Sequence, residues 1–165
     1  MRVLVADDDP GIRRGLAAQI RADGFHVVVC ADAAGAIEEL SSEDPPRIAV
    51  IDWVLPDRSG LDVCRTLCAS KGESVAVPYL IMLTVKKDAR DIAEALDAGA
   101  SDYVTKPFSM MELRARIRVG RRVVELQDEL KRQATRAQAR EDGECLSSEP
   151  THPAGTTQPE EDASS

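Results

Sequence analysis

The sequence predicts an α/β fold in which five parallel strands, in the order 2-1-3-4-5, form a doubly wound sheet with helices on both faces. Three observations predict it. Short, nearly continuous apolar runs alternate five times with helical patterns, cap and turn residues separate them, and acidic residues gather where the first and third runs end.

The elements follow in order. Val3–Ala6 reads as the first strand, and Asp9 with Pro10 supplies an N-cap and a proline at the first helical position. Ile12, Leu16 and Ile20 then recur at helical spacing until Gly24 stops the helix. Val27–Cys30 is the second strand, followed by Asp32 as a cap and by Ile37 and Leu40 on one helical face. Ile48–Ile51 is the third, with Leu61, Cys64 and Cys68 behind it, the two cysteines reading as small core residues rather than ligands. Tyr79–Leu83 is the fourth, with Ile92, Ala95 and Leu96 before a stop at Gly99. Ser101–Val104 is the fifth, and Ser109 with Glu112 forms a capping box ahead of Leu113. Strands this apolar suit a sheet covered on both faces, and the right-handed crossover rule gives a flavodoxin-like (βα)5 topology.

The last helix has no stop where a compact domain would end. Val123, Leu126, Leu130, Gln133 and Ala137 keep a 3-4-3-4 spacing, so it extends well past the core as a helix open to coiled-coil pairing. Gly120 costs about 1 kcal/mol relative to Ala and marks a place for a kink or flexible joint. Charge is segregated along the chain: residues 1–113 carry 12 basic and 19 acidic side chains, 114–140 carry 9 and 3, and 141–165 carry none and 7. The final segment, rich in Ser, Pro, Thr and Glu, reads as a disordered acidic tail. The basic stripe between is open to nucleic acid or an anionic membrane. It lacks aromatics and any reading motif, however, so a solvated helix with a dimer seam is preferred.

No run reaches the length of a membrane span, and Met1 to Asp7 does not have the form of a signal peptide. The cysteines Cys30, Cys64, Cys68 and Cys145 are scattered without metal-ligand spacing, which suits a reducing cytoplasm.

Chemistry enters at the strand ends. Asp7 and Asp8 follow the first strand and Asp52 follows the third; in the order 2-1-3-4-5 these strands are neighbours at the topological switch point. Three converging carboxylates repel unless a cation lies among them, and oxygen donors of this kind suit Mg²⁺. Thr84 after the fourth strand and Lys106 after the fifth bring a hydroxyl and an ammonium to the same edge. Together they make a site for a phosphoryl group, with Asp52 able to act as the attacking nucleophile. Asp9 is read only as a helix cap.

The runs VLVADDDP, VIDWVLPDRSG, IMLT and DYVTKPF resemble the successive motifs of bacterial response-regulator receiver domains, the CheY-like family, over roughly residues 1 to 120. The resemblance implies phosphorylation of Asp52 by a histidine kinase or phosphotransfer protein, and Mg²⁺ held by Asp7, Asp8, Asp52 and the backbone carbonyl of Val54. It implies Thr84 as the switch hydroxyl, Lys106 as the cation on the phosphoryl group, Tyr103 as an aromatic rotamer switch and a cis Lys106–Pro107 bond. Val85 is bulkier than the small residue usual after the switch hydroxyl, and Trp53, Val54 and Lys86 flank the site. Residues 1–120 are then the receiver, 121–140 a helical extension and 141–165 the tail.

A phosphoacceptor switch, not an enzyme beyond slow self-dephosphorylation, is the leading reading. Its output is expected through an unidentified protein effector and through homodimerisation by the fourth and fifth helices and the extension. No direct DNA-binding domain and no membrane contact are expected. A Mg²⁺-dependent phosphohydrolase with an aspartyl nucleophile is the alternative, weakened because Val54 stands where its general acid would be. A docking pseudo-receiver is another. A flavin or dinucleotide carrier lacks its Gly-rich phosphate loop.

Overall fold

The computed structural model describes residues 1–69 and 77–145, with the side chains of 140–145 excepted. Of the tail expected to be disordered, residues 141–145 are instead helical, continuing the last helix, and 146–165 lie outside the described residues. Strands β1 (Arg2–Ala6), β2 (His26–Cys30), β3 (Ile48–Asp52), β4 (Tyr79–Thr84) and β5 (Asp102–Thr105) alternate with helices α1 (Pro10–Ala22), α2 (Ala33–Leu40), α3 (Gly60–Ala69), α4 (Ala89–Asp97) and α5 (Met110–Cys145). The strands are all parallel, in the order β2-β1-β3-β4-β5. This is the expected flavodoxin-like fold.

Alternation along each strand builds two cores. Val3 and Val5 of β1, Ile48 and Val50 of β3, and Ile81 and Leu83 of β4 face Leu16 and Ile20 of α1 and Leu113, Ile117 and Val124 of α5. Leu4, Ala49, Ile51, Leu80 and Met82 face the other way, against Ala36 and Leu40 of α2, Leu61, Cys64 and Leu67 of α3, and Ala95 of α4. A side-chain period of two on a doubly covered sheet demands this division. Ile12 and Leu96, placed on core faces by spacing alone, are instead largely exposed, because each lies at the rim of its helix's apolar stripe.

The caps follow the expected chemistry with one departure. Asp9 accepts the N–H groups of Gly11 and Ile12 at 2.7 and 2.9 Å, Asp32 accepts that of Gly35 at 2.7 Å, and Gly24 and Gly99 close α1 and α4 with φ of 84° and 104°. Ser109 accepts the N–H of Met111 at 3.1 Å, but Glu112 turns to Arg116 at 3.0 Å, so only half of the expected box forms. A complete box stands at α3, where Ser59 and Asp62 each accept the other's backbone N–H at 3.2 and 3.3 Å.

One compact unit runs from Met1 to Glu129 and a second from Leu130 to Ser165. Gly120 is not a joint. The helix is continuous through it, and an added Cβ would come within 2.6 Å of the Tyr79 ring, so glycine lets α5 lie against β4. Within the first unit the helix beyond it, to Glu129, is also held down, with Arg47 donating to Asp128 at 2.8 Å. Gly120→Ala is therefore expected to lower the urea midpoint: with three Tyr79 ring atoms in the way, overpacking costs about 2 kcal/mol, mid-range for such changes, and exceeds the roughly 1 kcal/mol of helix propensity gained. A flexible joint predicts the opposite, a higher midpoint. The outward seam residue Leu126 is 65% exposed in the first unit, and Leu130 is 66% exposed in the second. Among the described residues no helix is long and apolar enough to cross a membrane.

Candidate functional site

Register decides where the acids fall. β1 pairs with β3 through Ala6 and Ile51, so Asp7, directly after β1, and Asp52, the last residue of β3, emerge side by side at the carboxyl edge. Asp7 is fully buried, Asp52 is 8% exposed and Asp8 faces solvent. One carboxylate oxygen from each of the three lies within 4.8 Å of the other two. Like charges at that separation repel by several kcal/mol at the effective dielectric of a protein, about 20. Three hard oxygen donors at a partly open edge fit a small divalent cation that keeps some of its waters.

Lys106 reaches in from the end of β5. Its Nζ donates to Asp52 Oδ2 at 2.6 Å and to Asp7 Oδ2 at 3.0 Å, and its backbone N–H donates to the Thr84 carbonyl at 2.6 Å. The Lys106–Pro107 bond is cis, as the resemblance implied. Burial pushes the Asp52 carboxyl above the usual carboxylate range, helped by the charge of Asp7, while Lys106 pulls against the shift. For Lys106, burial works against the charge, and its bonds and attraction to Asp52 and Asp7 outweigh it, so the ammonium is held above its ordinary value.

Thr84 ends β4, is 2% exposed, and its Oγ1 accepts the N–H of Lys86 at 3.0 Å. The register sets Leu83 opposite Asp52 and Thr105 opposite Thr84, bringing the threonine to the edge shared by Asp52 and Lys106. Val85 beside it is 67% exposed. Tyr103 lies opposite Met82 on β5, half-buried against the core that contains it. Trp53 is buried, and the Nζ of Lys86, 2.8 Å from Asp91, lies 4.4 Å from its ring centroid. The Val54 side chain is exposed and its backbone bridges to Ser59.

Sequence reasoning missed two residues that shape this edge. Arg13 of α1 donates to the carbonyls of Asp7 and Asp8 at 2.5 and 3.3 Å, holding the acidic turn from behind. Asp57 accepts the N–H groups of Ala33 and Ala34 at 2.8 and 3.0 Å. No local pattern announces either, since each acts through backbone that only the fold brings near. Cys30, Cys64 and Cys68 are free, with burial pushing the thiols of Cys30 and Cys64 up to about 11 and about 12.

Comparison with known proteins agrees with this geometry. The family model described as "Response regulator receiver domain" matches residues 3–118. The chain is 42% identical over 117 residues to the DNA-binding response regulator MtrA of Mycolicibacterium smegmatis, covering 71% of this chain and 49% of that one. It is 43% identical over 116 residues to the transcriptional regulatory protein KdpE of Mycobacterium tuberculosis, covering 70% and 49%. Among solved structures, the receiver domain of the Francisella response regulator 1452 superposes with a TM-score of 0.64 at 30% identity, covering 72% of this chain and 93% of that one. The BeF3-activated N-terminal receiver domain of Klebsiella pneumoniae RstA gives 0.64 at 27%, covering 73% and 97%.

The chain spans about half the length of the curated relatives it matches. Those relatives correct one expectation. Output through protein contacts alone, with no DNA-binding domain in play, does not hold for proteins named as a DNA-binding response regulator and a transcriptional regulator. A search for a DNA-reading motif within a receiver comes up empty for a physical reason: the switch and the output are separable modules, and the fold of one carries no information about the other. With the receiver model matching most of the chain, the parallel sheet in its order and the acids at its switch point, this chain belongs to the response regulator receiver domain family of two-component signalling proteins.

Proposed function

We propose that the chain is a phosphoryl-accepting switch in which Asp52 takes a phosphoryl group from a phosphohistidine of a histidine kinase. The observation that carries this reading is the bond from Lys106 to Asp52 and Asp7 within a three-carboxylate cluster. An Asp52 carboxylate oxygen forms the new bond to phosphorus as the bond to the donor nitrogen breaks, and the freed imidazole takes up a proton. Asp7, Asp8, Asp52 and the Val54 carbonyl would hold Mg²⁺, which supplies charge neutralisation for the phosphoryl oxygens. Lys106 supplies a second cation to those oxygens. Thr84 gives up its bond to the Lys86 N–H and donates its hydroxyl to the phosphoryl group, and Tyr103 on the neighbouring strand follows.

Nothing in the donor set favours rapid hydrolysis. The position two residues beyond Asp52 is Val54, which has no proton to give, so turnover is confined to slow self-dephosphorylation. Residues 1–120 carry the switch and 121–140 extend its last helix. The names of the relatives favour transcription as the process that it serves, and the free cysteines suit a reducing cytoplasm. Incubation with acetyl phosphate and Mg²⁺, followed by intact mass, tests the reading. A gain of one phosphoryl group that does not occur when the metal is chelated beforehand is expected, whereas no gain, or gain indifferent to prior chelation, contradicts it.

A further inference from the structure

We infer that Asp57 is a positioning residue of this site, tethering the loop between β3 and α3 to the start of α2. The inference rests on the phosphoacceptor reading, because that loop carries the Val54 carbonyl assigned above to the metal.

The first three N–H groups of α2 have no partner within the helix, and two different carboxylates satisfy them. Asp32, the helix's own cap, accepts the third from Gly35 at 2.7 Å. Asp57, more than twenty residues later in the chain, accepts the first and second with its two oxygens, from Ala33 at 2.8 Å and Ala34 at 3.0 Å. A local cap would need only the first of these aspartates. The second joins two loops. These bonds also hold the Asp57 carboxyl below its ordinary value, as expected for a carboxylate on a helix N-terminus.

The loop is fixed at its base by the Val54–Ser59 bridge and by the Gly60 N–H donating to the Trp53 carbonyl at 2.8 Å. Its outer part has two anchors, the buried Leu55 and, beyond Pro56, Asp57. Pro56 stiffens the backbone between them. The Val54 carbonyl thus belongs to a segment held on both sides. The segment leading into α2 is itself bonded to the site, since the Asp7 N–H donates to the Cys30 carbonyl at 3.3 Å. Asp57 therefore closes a loop of contacts from Asp7 through residues 30–34 to Val54, fixing two of the proposed ligands relative to one another. Without it, the segment keeps its base and Leu55 but loses its tie to α2, and affinity falls by the cost of restoring that order when the metal binds.

The test uses Mn²⁺ as a directly observed oxygen-seeking ion, with its free concentration read by electron paramagnetic resonance and with Mg²⁺ as competitor. Asp57→Ala is expected to weaken affinity about tenfold, at the low end of what losing a supporting partner of a metal ligand costs. Asp57→Asn, which keeps one acceptor oxygen, is expected between Asp57→Ala and the native chain. Asp32→Ala is the control: it removes the other α2 cap and lowers the thermal midpoint comparably, but it should hold Mn²⁺ within about twofold of the native chain, the midpoint reporting the cap alone. Asp57→Ala binding as tightly as the native chain, with its midpoint lowered like that of Asp32→Ala, reduces Asp57 to a helix cap and overturns the inference. Should Asp57→Ala not fold, native affinity in Asp57→Asn overturns it equally. A native chain that binds no Mn²⁺ overturns the metal site and the tether together, which separates failure of the underlying reading from failure of the tether alone.

Discussion

Replacing Asp52 with asparagine is expected to abolish phosphoryl uptake and, at the same time, to make the Mg²⁺-free protein more stable. Both effects come from the burial of the Asp52 carboxylate beside Asp7. Without a divalent cation, one ammonium, Lys106, answers three carboxylates, one oxygen of each lying within 4.8 Å of the other two. Removing the Asp52 charge deletes two repulsions and one attraction, and Lys106 keeps Asp7 as a partner at 3.0 Å. At an effective dielectric of about 20 the attraction across 2.6 Å is about 6 kcal/mol and exceeds the repulsion from Asp7, about 4 kcal/mol. The net gain, about 1 kcal/mol, comes from no longer burying a charge at position 52, the largest influence on that carboxyl.

The pH dependence gives the sign a separate check. Burial raises the Asp52 carboxyl in the folded protein, so the native state binds that proton more tightly than the unfolded chain does. Its charged form therefore costs stability at neutral pH, and the cost fades as pH falls from the raised folded value toward the ordinary carboxylate value. The advantage of Asp52→Asn in urea should be largest near neutrality and shrink on acidification. Saturating Mg²⁺ should reverse the order, stabilising the native chain by more than the variant. A variant less stable than the native chain without metal contradicts the electrostatic picture.

Gly60→Ala is expected to cost about 3 kcal/mol, near the upper end for overpacking a tight interior. A methyl group there would overlap the carbonyl oxygen of Asp52 and come within 3.0 Å of the Met82 sulfur, and neither can yield easily. One belongs to the backbone of β3, and the other is buried between the sheet and α3. The helix would have to withdraw, taking with it the Gly60 N–H that holds the Trp53 carbonyl. Phosphorylation should slow along with the loss of stability, because the carbonyl that the methyl group presses on is that of Asp52 itself. Urea unfolding and the rate of mass gain from acetyl phosphate measure the two effects. Native stability in this variant would mean that α3 does not approach β3 as closely as the geometry requires.

How much of this was legible in the sequence depends on the range of the interaction. Strands and their order could be read because apolar runs and crossover rules act locally, and Asp7, Asp8 and Asp52 could be placed because strand ends mark the sheet's edge. Thr84 and Lys106 came with them for the same reason. The capping box at Ser59 and Asp62 is equally local but was passed over, while the one expected at Ser109 and Glu112 forms only by half. Gly120 was misjudged because helix propensity sees the chain and not Tyr79, a partner some forty residues away. Ile12 and Leu96 show the limit of spacing, which fixes a stripe but not how far its rim is covered. Asp57 and Arg13 could not be recognised at all, since their partners are backbone groups that any residue type would offer.

The most direct measurement of the central claim locates the phosphoryl group on the chain. An acyl phosphate is reduced by borohydride to an alcohol, which turns an aspartyl phosphate into homoserine and marks the residue permanently. After incubation with acetyl phosphate and Mg²⁺, peptide mass spectrometry should find homoserine at position 52, and none when the metal is chelated before acetyl phosphate is added. Homoserine at another aspartate, or a phosphoryl group that survives borohydride as an ester on a hydroxyl, would contradict the assignment of Asp52 as the acceptor.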